Sequence, residues 1–311
     1  MKTIKDIHAT DSTDDLVNQL YEAGGFTAKH VGQAAQITQK MFNPECYTFL
    51  SFPACIVSTG TRGVLKELVQ KKRVQAIMTA SGTLDYDLSK LWKDYLHGSF
   101  QADDIELHHK GIHRIGNVFA PVDSYGTILE QKLQPMLKEI YAEKKEWSTH
   151  ELVWAIGEKI KDEENAKQSI CYWAWKNKVP VFIPGITDGA FGSQLYFFWQ
   201  DHKDFQVNLF LDEDQLASIV FDAKKTGALI LGGGISKHHT IWWNQFRDGL
   251  DYAVGITSAN EYDGSLSGAR IREGISWGKV KEKAQQVTVQ GDVTVLLPLI
   301  VSAVEQRLKR S

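Results

Sequence analysis

An α/β fold built on a mostly parallel sheet is what the sequence predicts, and two observations predict it. Short runs rich in β-branched residues, each ending in glycine or polar turn residues, recur along the chain. Helix-period segments lie between them, the alternation expected of strands joined by helical crossovers. A third observation bears on domain count: no repeat, low-complexity tract or linker divides the 311 residues.

Taken in order, a helical N-terminal portion precedes the sheet, and Thr61 to Gln70 continues the helical period. Val74-Gln-Ala-Ile-Met-Thr79 reads as the first buried strand. Ser148 to Lys161 reads as a helix, because Ser148 with Glu151 three residues on has capping-box spacing, in which each side chain reaches the other's backbone amide. Val179-Pro-Val-Phe-Ile183, Ala228-Leu-Ile-Leu231 and Tyr252-Ala-Val-Gly-Ile256 are the next buried strands. Val287-Thr-Val-Gln290 closes the series, and Asp292 is placed to cap a helix running to Arg310. The expectation is one Rossmann-like domain over residues 1–311, its mostly parallel sheet flanked by helices.

Composition narrows the function classes. With 43% hydrophobic and 23% charged residues the chain is ordinary globular material, long enough for a sizeable core. Its 35 basic and 38 acidic residues give a formal charge of −3, so no global basic field holds nucleic acid or an anionic membrane, while a polycationic ligand is compatible. Cys46, Cys55 and Cys171 form an odd set without CxxC spacing, which indicates neither a disulfide framework nor a zinc site and suits a reducing, cytoplasmic compartment. The opening MKTIKDIHATDSTDD is polar and acidic, unlike an export signal. The longest apolar run, Val293 to Val304, falls well short of the roughly 20 residues that span a bilayer and is broken by Pro298.

Chemistry concentrates in two stretches. Leu229-Ile-Leu-Gly-Gly-Gly-Ile-Ser-Lys-His-His239 puts three glycines directly after a buried strand. They serve equally as a tight strand-to-helix turn or as a place where backbone amides approach a phosphate or cofactor. Asp188 also follows a strand, and open α/β sheets bind ligands beyond strand C-terminal ends, so Asp188, Gly232, Gly233, Gly234 and Ser258 are expected to converge on one crevice. Adjacent His238 and His239 diverge and do not pair on one metal, and His108, His109 and His113 lack further ligands; no metal site is expected.

The second stretch, Glu261 to Lys279 (EYDGSLSGARIREGISWGK), crowds carboxylates, arginines, an indole and a lysine around four glycines. It reads as a loop turning into a short helix, with Glu273 and Trp277 on one face, Gly278 as a left-handed stop and Lys279 presented just beyond. An exposed lysine is ordinarily just solvated. One desolvated beside Trp277 and Glu273 is instead a candidate Schiff-base nucleophile.

Four segments, DGSLSGARIREGISWGK (263–279), LGGGISKHH (231–239), YWAWKNKVPVFIPGITDG (172–189) and HRIGNVFAP (113–121), resemble the deoxyhypusine synthase family in its shorter archaeal-type form or the related synthase-like proteins, and the likeness covers nearly the whole chain. The resemblance implies NAD-dependent transfer of the 4-aminobutyl group of spermidine to a lysine of translation initiation factor 5A. It implies that Lys279 forms an enzyme imine, that His238 lies near the amine being oxidised, and that Glu273 and Trp277 hold the polyamine. For the cofactor it implies Asp188, Gly232, Gly233, Gly234, Ser258, Ala259, Asp263 and Asp292, in a homotetramer of two tight dimers. The sequence departs from the full pattern at Ser193, where an acidic residue binds the polyamine, and from the eukaryotic enzymes at Leu266, where they have another carboxylate and archaeal-type sequences can carry leucine; it departs also at Pro53-Ala-Cys55 in an early cofactor loop and at Tyr86 in place of a glutamate. Three functions fit these residues: deoxyhypusine synthesis, transfer to a free diamine to give homospermidine, and non-catalytic binding of a partner or polyamine. Retention of the lysine, the histidine and the glycines argues against the last.

Overall fold

A computed structural model describes residues 1–310. The chain opens with helices α1 (Thr13–Ala23) and α2 (Phe26–Met41), then strand β1 (Cys46–Ser51), helix α3 (Arg62–Gln70), strand β2 (Ala76–Met78) and helix α4 (Gly82–Trp92). Short elements follow: β3 (Leu96–His97), α5 (Asp104–His109), β4 (Ile112–Ile115) and β5 (Val118–Pro121). Next come α6 (Gly126–Glu143), β6 (Glu146–Trp147), α7 (Thr149–Lys159), α8 (Ile170–Asn177), β7 (Val181–Phe182), α9 (Ala190–Asp201), β8 (Gln206–Val207) and α10 (Leu209–Asp222). The final third holds β9 (Lys225–Leu231), α11 (Gly234–Asn244), β10 (Leu250–Thr257), β11 (Val280–Gln290) and α12 (Val293–Arg310).

These elements form two compact units that alternate along the chain. One comprises Met1–Pro53, Arg73–Met78 and Gln215–Ser311, the other Ala54–Lys72 and Thr79–Asp214. In the first, β11, β10, β9, β1 and β2 lie side by side in that order, every pair parallel. The register sets Phe49 beside Ala76 on one flank and Ala228 on the other. Strand β9 is buried from Thr226 to Leu231, which is why its sequence is a continuous apolar run rather than an alternation. Helix α2 packs beside β10 and β11, α12 beside α2 and β10, and α11 beside β9, β1 and β2.

Strand β1 was not singled out by its sequence, CYTFLS, although it lies between β9 and β2. Of the anticipated strands, the one at Tyr252–Ile256 extends to Leu250–Thr257 and the one at Val287–Gln290 begins seven residues earlier, at Val280. Asp292 accepts from the Thr294 amide at 2.6 Å just before α12, which runs through Pro298 to Arg310. Pro298 lies in the second turn of this helix, where it removes one i→i−4 hydrogen bond, to the Thr294 carbonyl.

In the second unit, β3, β5 and β4 form a small antiparallel sheet, and α4 packs on α6, α8 and α9. The capping box at Ser148 is formed in both directions: Ser148 Oγ accepts from the Glu151 amide, and the Glu151 carboxylate from the Ser148 amide. Asp87, buried on α4, accepts from Arg62 Nε (2.7 Å), Ser169 Oγ (2.6 Å) and the Ile170 and Cys171 amides (both 3.0 Å). Burial alone would raise its pKa; the Arg62 guanidinium and these donors overcome that and hold it below the ordinary aspartate range. Among the described residues no helix is long and apolar enough to cross a membrane.

Candidate active site

The loop between β10 and β11 builds one wall of a cavity of about 290 Å³ in the first unit. Residues Ile271–Ile275 form a 3-10 turn rather than the anticipated α-helical one. The chain then reverses at Gly278, whose φ of 68° is the left-handed conformation expected there. The Lys279 amide closes the reversal by donating to the Gly274 carbonyl at 2.9 Å, and the Lys279 carbonyl accepts from the Leu250 amide at 3.1 Å, tying it to the sheet. Lys279 thus sits on the last residue before β11 and inherits the sheet's rigidity.

Its side chain is not presented to solvent as the spacing suggested. Lys279 is 7% exposed, whereas Trp277 is 65% exposed. The Lys279 ammonium lies 4.9 Å from the Trp277 ring centroid and 5.3 Å from that of Trp242, so it is held between two indoles. Trp242 belongs to α11, and this long-range packing is what buries the lysine.

Helix α11 supplies the facing wall. His238 and Trp242, four residues apart, share a side of the helix, with ring centroids 5.6 Å apart. His238 lines the cavity with Lys279, Glu273 and Trp277. Burial, then the positive charge of Lys279 and the neighbouring His239, push the His238 imidazole below the usual histidine value, so at neutral pH it is a free base. Lys237, 4% exposed, donates to the carbonyls of Leu266 (2.7 Å) and Ala269 (2.5 Å) and so clamps α11 to the loop. Burial draws its amine down to about 8, against an upward pull from Glu273. The sequence reading passed over Lys237 and Trp242; the i, i+4 spacing of His238 and Trp242 was the available signal for the latter.

The other anticipated residues occupy distinct positions. Gly232 and Gly234 both have left-handed φ (68° and 70°) in the turn from β9 to α11, and a Cβ on Gly233 would lie 2.4 Å from the Ser267 Cα, which no side chain survives. Space beside Gly234 is open, and no side chain caps the helix start. Ser258 and Ala259 follow β10, their carbonyls accepting from Gln290 at 2.9 and 3.2 Å. Asp263 bonds Ser265, which holds its carboxyl below the ordinary range, and Asp292 caps α12. Asp188 belongs to the second unit, exposed in the turn between β7 and α9. Ser193, one turn into α9, donates to the Gly189 carbonyl at 3.1 Å, while Leu266 lines the cavity. Pro53 packs against Gly232, and Tyr86 sits among Tyr95 and Tyr125. Among the described residues no group of three or more His, Cys, Asp or Glu side chains is placed to hold a metal ion.

Fold and cavity define an α/β protein with a glycine-rich strand-to-helix turn and a lysine buried between indoles, beside a neutral histidine and a carboxylate. The deoxyhypusine synthase family model matches residues 15–304. A protein of Picrophilus torridus described as a probable deoxyhypusine synthase is 54% identical over 301 residues, covering 96% of each chain. One of Thermoplasma acidophilum with the same description is 52% identical, covering 97% of this chain and 96% of its own. In fold, the chain is similar to a crystal structure assigned as a deoxyhypusine synthase of Entamoeba histolytica, with a TM-score of 0.65 at 23% identity over 97% of this chain and 95% of that one. The chain belongs to the deoxyhypusine synthase family.

Proposed function

We propose that this protein transfers the 4-aminobutyl group of spermidine, through an imine on Lys279, to a lysine of the translation initiation factor 5A precursor, with NAD as cofactor. The observation that carries the reading is Lys279 held between Trp242 and Trp277 in a cavity that also contains His238 and Glu273. The turn from β9 to α11 suits the cofactor: its backbone is glycine, it is open beside Gly234, and the helix start offers uncapped amides to a diphosphate. Ser258, Ala259, Asp263, Asp292 and Asp188 are the further groups assigned to it. When bound, NAD supplies oxidation of the donor amine and reduction of the final product.

This chain's residues perform the rest. Glu273 pairs with an ammonium of the substrate, and the Trp277 face receives the cation and its methylene chain. His238, neutral, takes the proton from the secondary amine as its carbon–nitrogen bond becomes an imine. The Lys279 amine adds to that carbon and expels propane-1,3-diamine, leaving the four-carbon unit joined to Nζ as a carbon–nitrogen double bond. The acceptor lysine then displaces Lys279 in the same manner, and the enzyme amine is restored. On this reading the protein is a cytoplasmic homotetramer, which light scattering tests.

A second reading, transfer to a free diamine such as putrescine, uses the same lysine, histidine and glycine turn. Incubating the protein with NAD and spermidine labelled in the butyl chain, with either the 5A precursor or putrescine, separates the two. Label on the protein acceptor supports the first reading and label in homospermidine the second. No transfer and no borohydride-trapped adduct refutes both.

A further inference from the structure

Asp85 has no part in the chemistry above, yet it is 1% exposed and fully engaged. Its carboxylate accepts from the Ala190 amide (2.9 Å), the Phe191 amide (2.7 Å) and the Tyr125 hydroxyl (2.7 Å). Ala190 and Phe191 are the first two residues of α9, whose own cap position, Gly189, offers no side chain. A carboxylate from α4 therefore satisfies amides that every helix start leaves unpaired, and its charge opposes the positive end of the α9 dipole.

Gly189 shows how closely the two elements meet. Its φ is +152°, and a Cβ there would lie 2.8 Å from Asp85 Oδ2 and 3.3 Å from both the Gly82 amide nitrogen and Ser81 Oγ. Asp188, the residue before it, is exposed, and its amide donates to the Gly185 carbonyl at 3.1 Å. The turn that carries the Asp188 carboxylate is fixed on its C-terminal side by the bonds of Asp85 to the Ala190 and Phe191 amides.

We propose that Asp85 is a positioning residue for NAD binding: it caps α9 and thereby holds the turn that carries Asp188. The inference rests on the assignment of Asp188 to the cofactor made above. Asp85 does not touch the cofactor on this account, because its oxygens are already committed to three donors inside the unit. Tyr125, at the entrance to α6, holds the carboxylate from the other side.

The test is isothermal titration of NAD into the full-length protein and its variants, below the unfolding temperature of each. An Asp85→Asn variant keeps one acceptor and loses the charge. If the turn then reaches its binding geometry about a tenth of the time, the apparent Kd rises about tenfold, and borohydride trapping on Lys279 recovers at saturating NAD. Gly189→Ala displaces the carboxylate and shifts the Kd in the same direction, and the double variant is no weaker than the weaker single one, because both break one contact. Tyr125→Phe leaves both amide bonds in place and gives a smaller rise. A folded Asp85→Asn protein with the wild-type Kd overturns the proposal. If that variant does not fold, wild-type affinity in both Tyr125→Phe and Gly189→Ala overturns it. A wild-type protein that binds no NAD removes the cofactor reading itself, and this inference with it, a result distinct from equal binding by wild type and variants.

Discussion

Replacing Glu273 with Gln removes the one carboxylate lining a cavity that also holds Lys237, Arg270 and Lys279, and leaves shape almost unchanged. A hydrogen bond between a carboxylate and an ammonium is worth about 1.5–3 kcal/mol, or roughly 10- to 150-fold in Kd. Two features of the site select within that range. Glu273 is exposed at the cavity rim, so water and salt screen it and the lower end applies. Loss of its charge also removes an upward pull on the Lys237 amine, which favours its neutral form beside a cationic ligand. The expected outcome is a rise of about tenfold in the spermidine Kd at low salt, shrinking as salt is added. Isothermal titration in the presence of NAD at two ionic strengths measures both. An unchanged Kd at low salt would show that Glu273 does not anchor the polyamine and would refute the reasoning.

Lys279→Ala should abolish borohydride trapping of the aminobutyl group while NAD binding, measured by titration, survives, since the assigned cofactor residues lie elsewhere; undiminished trapping would remove Lys279 from the mechanism. His238→Ala should slow single-turnover imine formation by about 10²- to 10⁴-fold, and His239→Ala much less, because His238 lines the cavity beside Lys279; equal losses would show that the assignment fails. His238 acts as a base only when neutral, and its pKa lies below the usual histidine value, so the rate should rise with pH through a midpoint below that value; an acidic limb centred above it contradicts the geometry. Asp87→Ala strands the buried Arg62 guanidinium and should cost about 3–5 kcal/mol in urea unfolding, with a loss under 1 kcal/mol counting against the network.

How much of this was legible beforehand follows from which interactions are local. The capping box at Ser148 and Glu151, the left-handed stop at Gly278 and the cap at Asp292 each depend on residues within a few positions, and the structure has all three. Strand β1 was hidden because Tyr47-Thr-Phe-Leu50 is short, lacks Val and Ile, and is bounded by no strong glycine signal on its C-terminal side. Its place between β9 and β2 comes from tertiary packing, which overrides weak strand propensity. The small sheet of β3, β4 and β5 went unseen for a related reason: two to four residues per strand leave no period to read.

The lysine makes the clearest case. Spacing along Glu273, Trp277 and Lys279 correctly located a reversal at Gly278, and a reversal in isolation does present the next side chain to water. What buries Lys279 is Trp242, 37 positions earlier, brought over it because Lys237 of the same helix is clamped to the Leu266 and Ala269 carbonyls of the loop. Helical geometry then places His238 one turn before Trp242 and on the same side. A single clamp between α11 and the loop therefore fixes the second indole and the histidine together against the amine. No window short enough to read for periodicity contains both halves of that arrangement. The sequence shows which residue types are available for a lysine-centred site, and the contact between two distant segments decides that the lysine is enclosed.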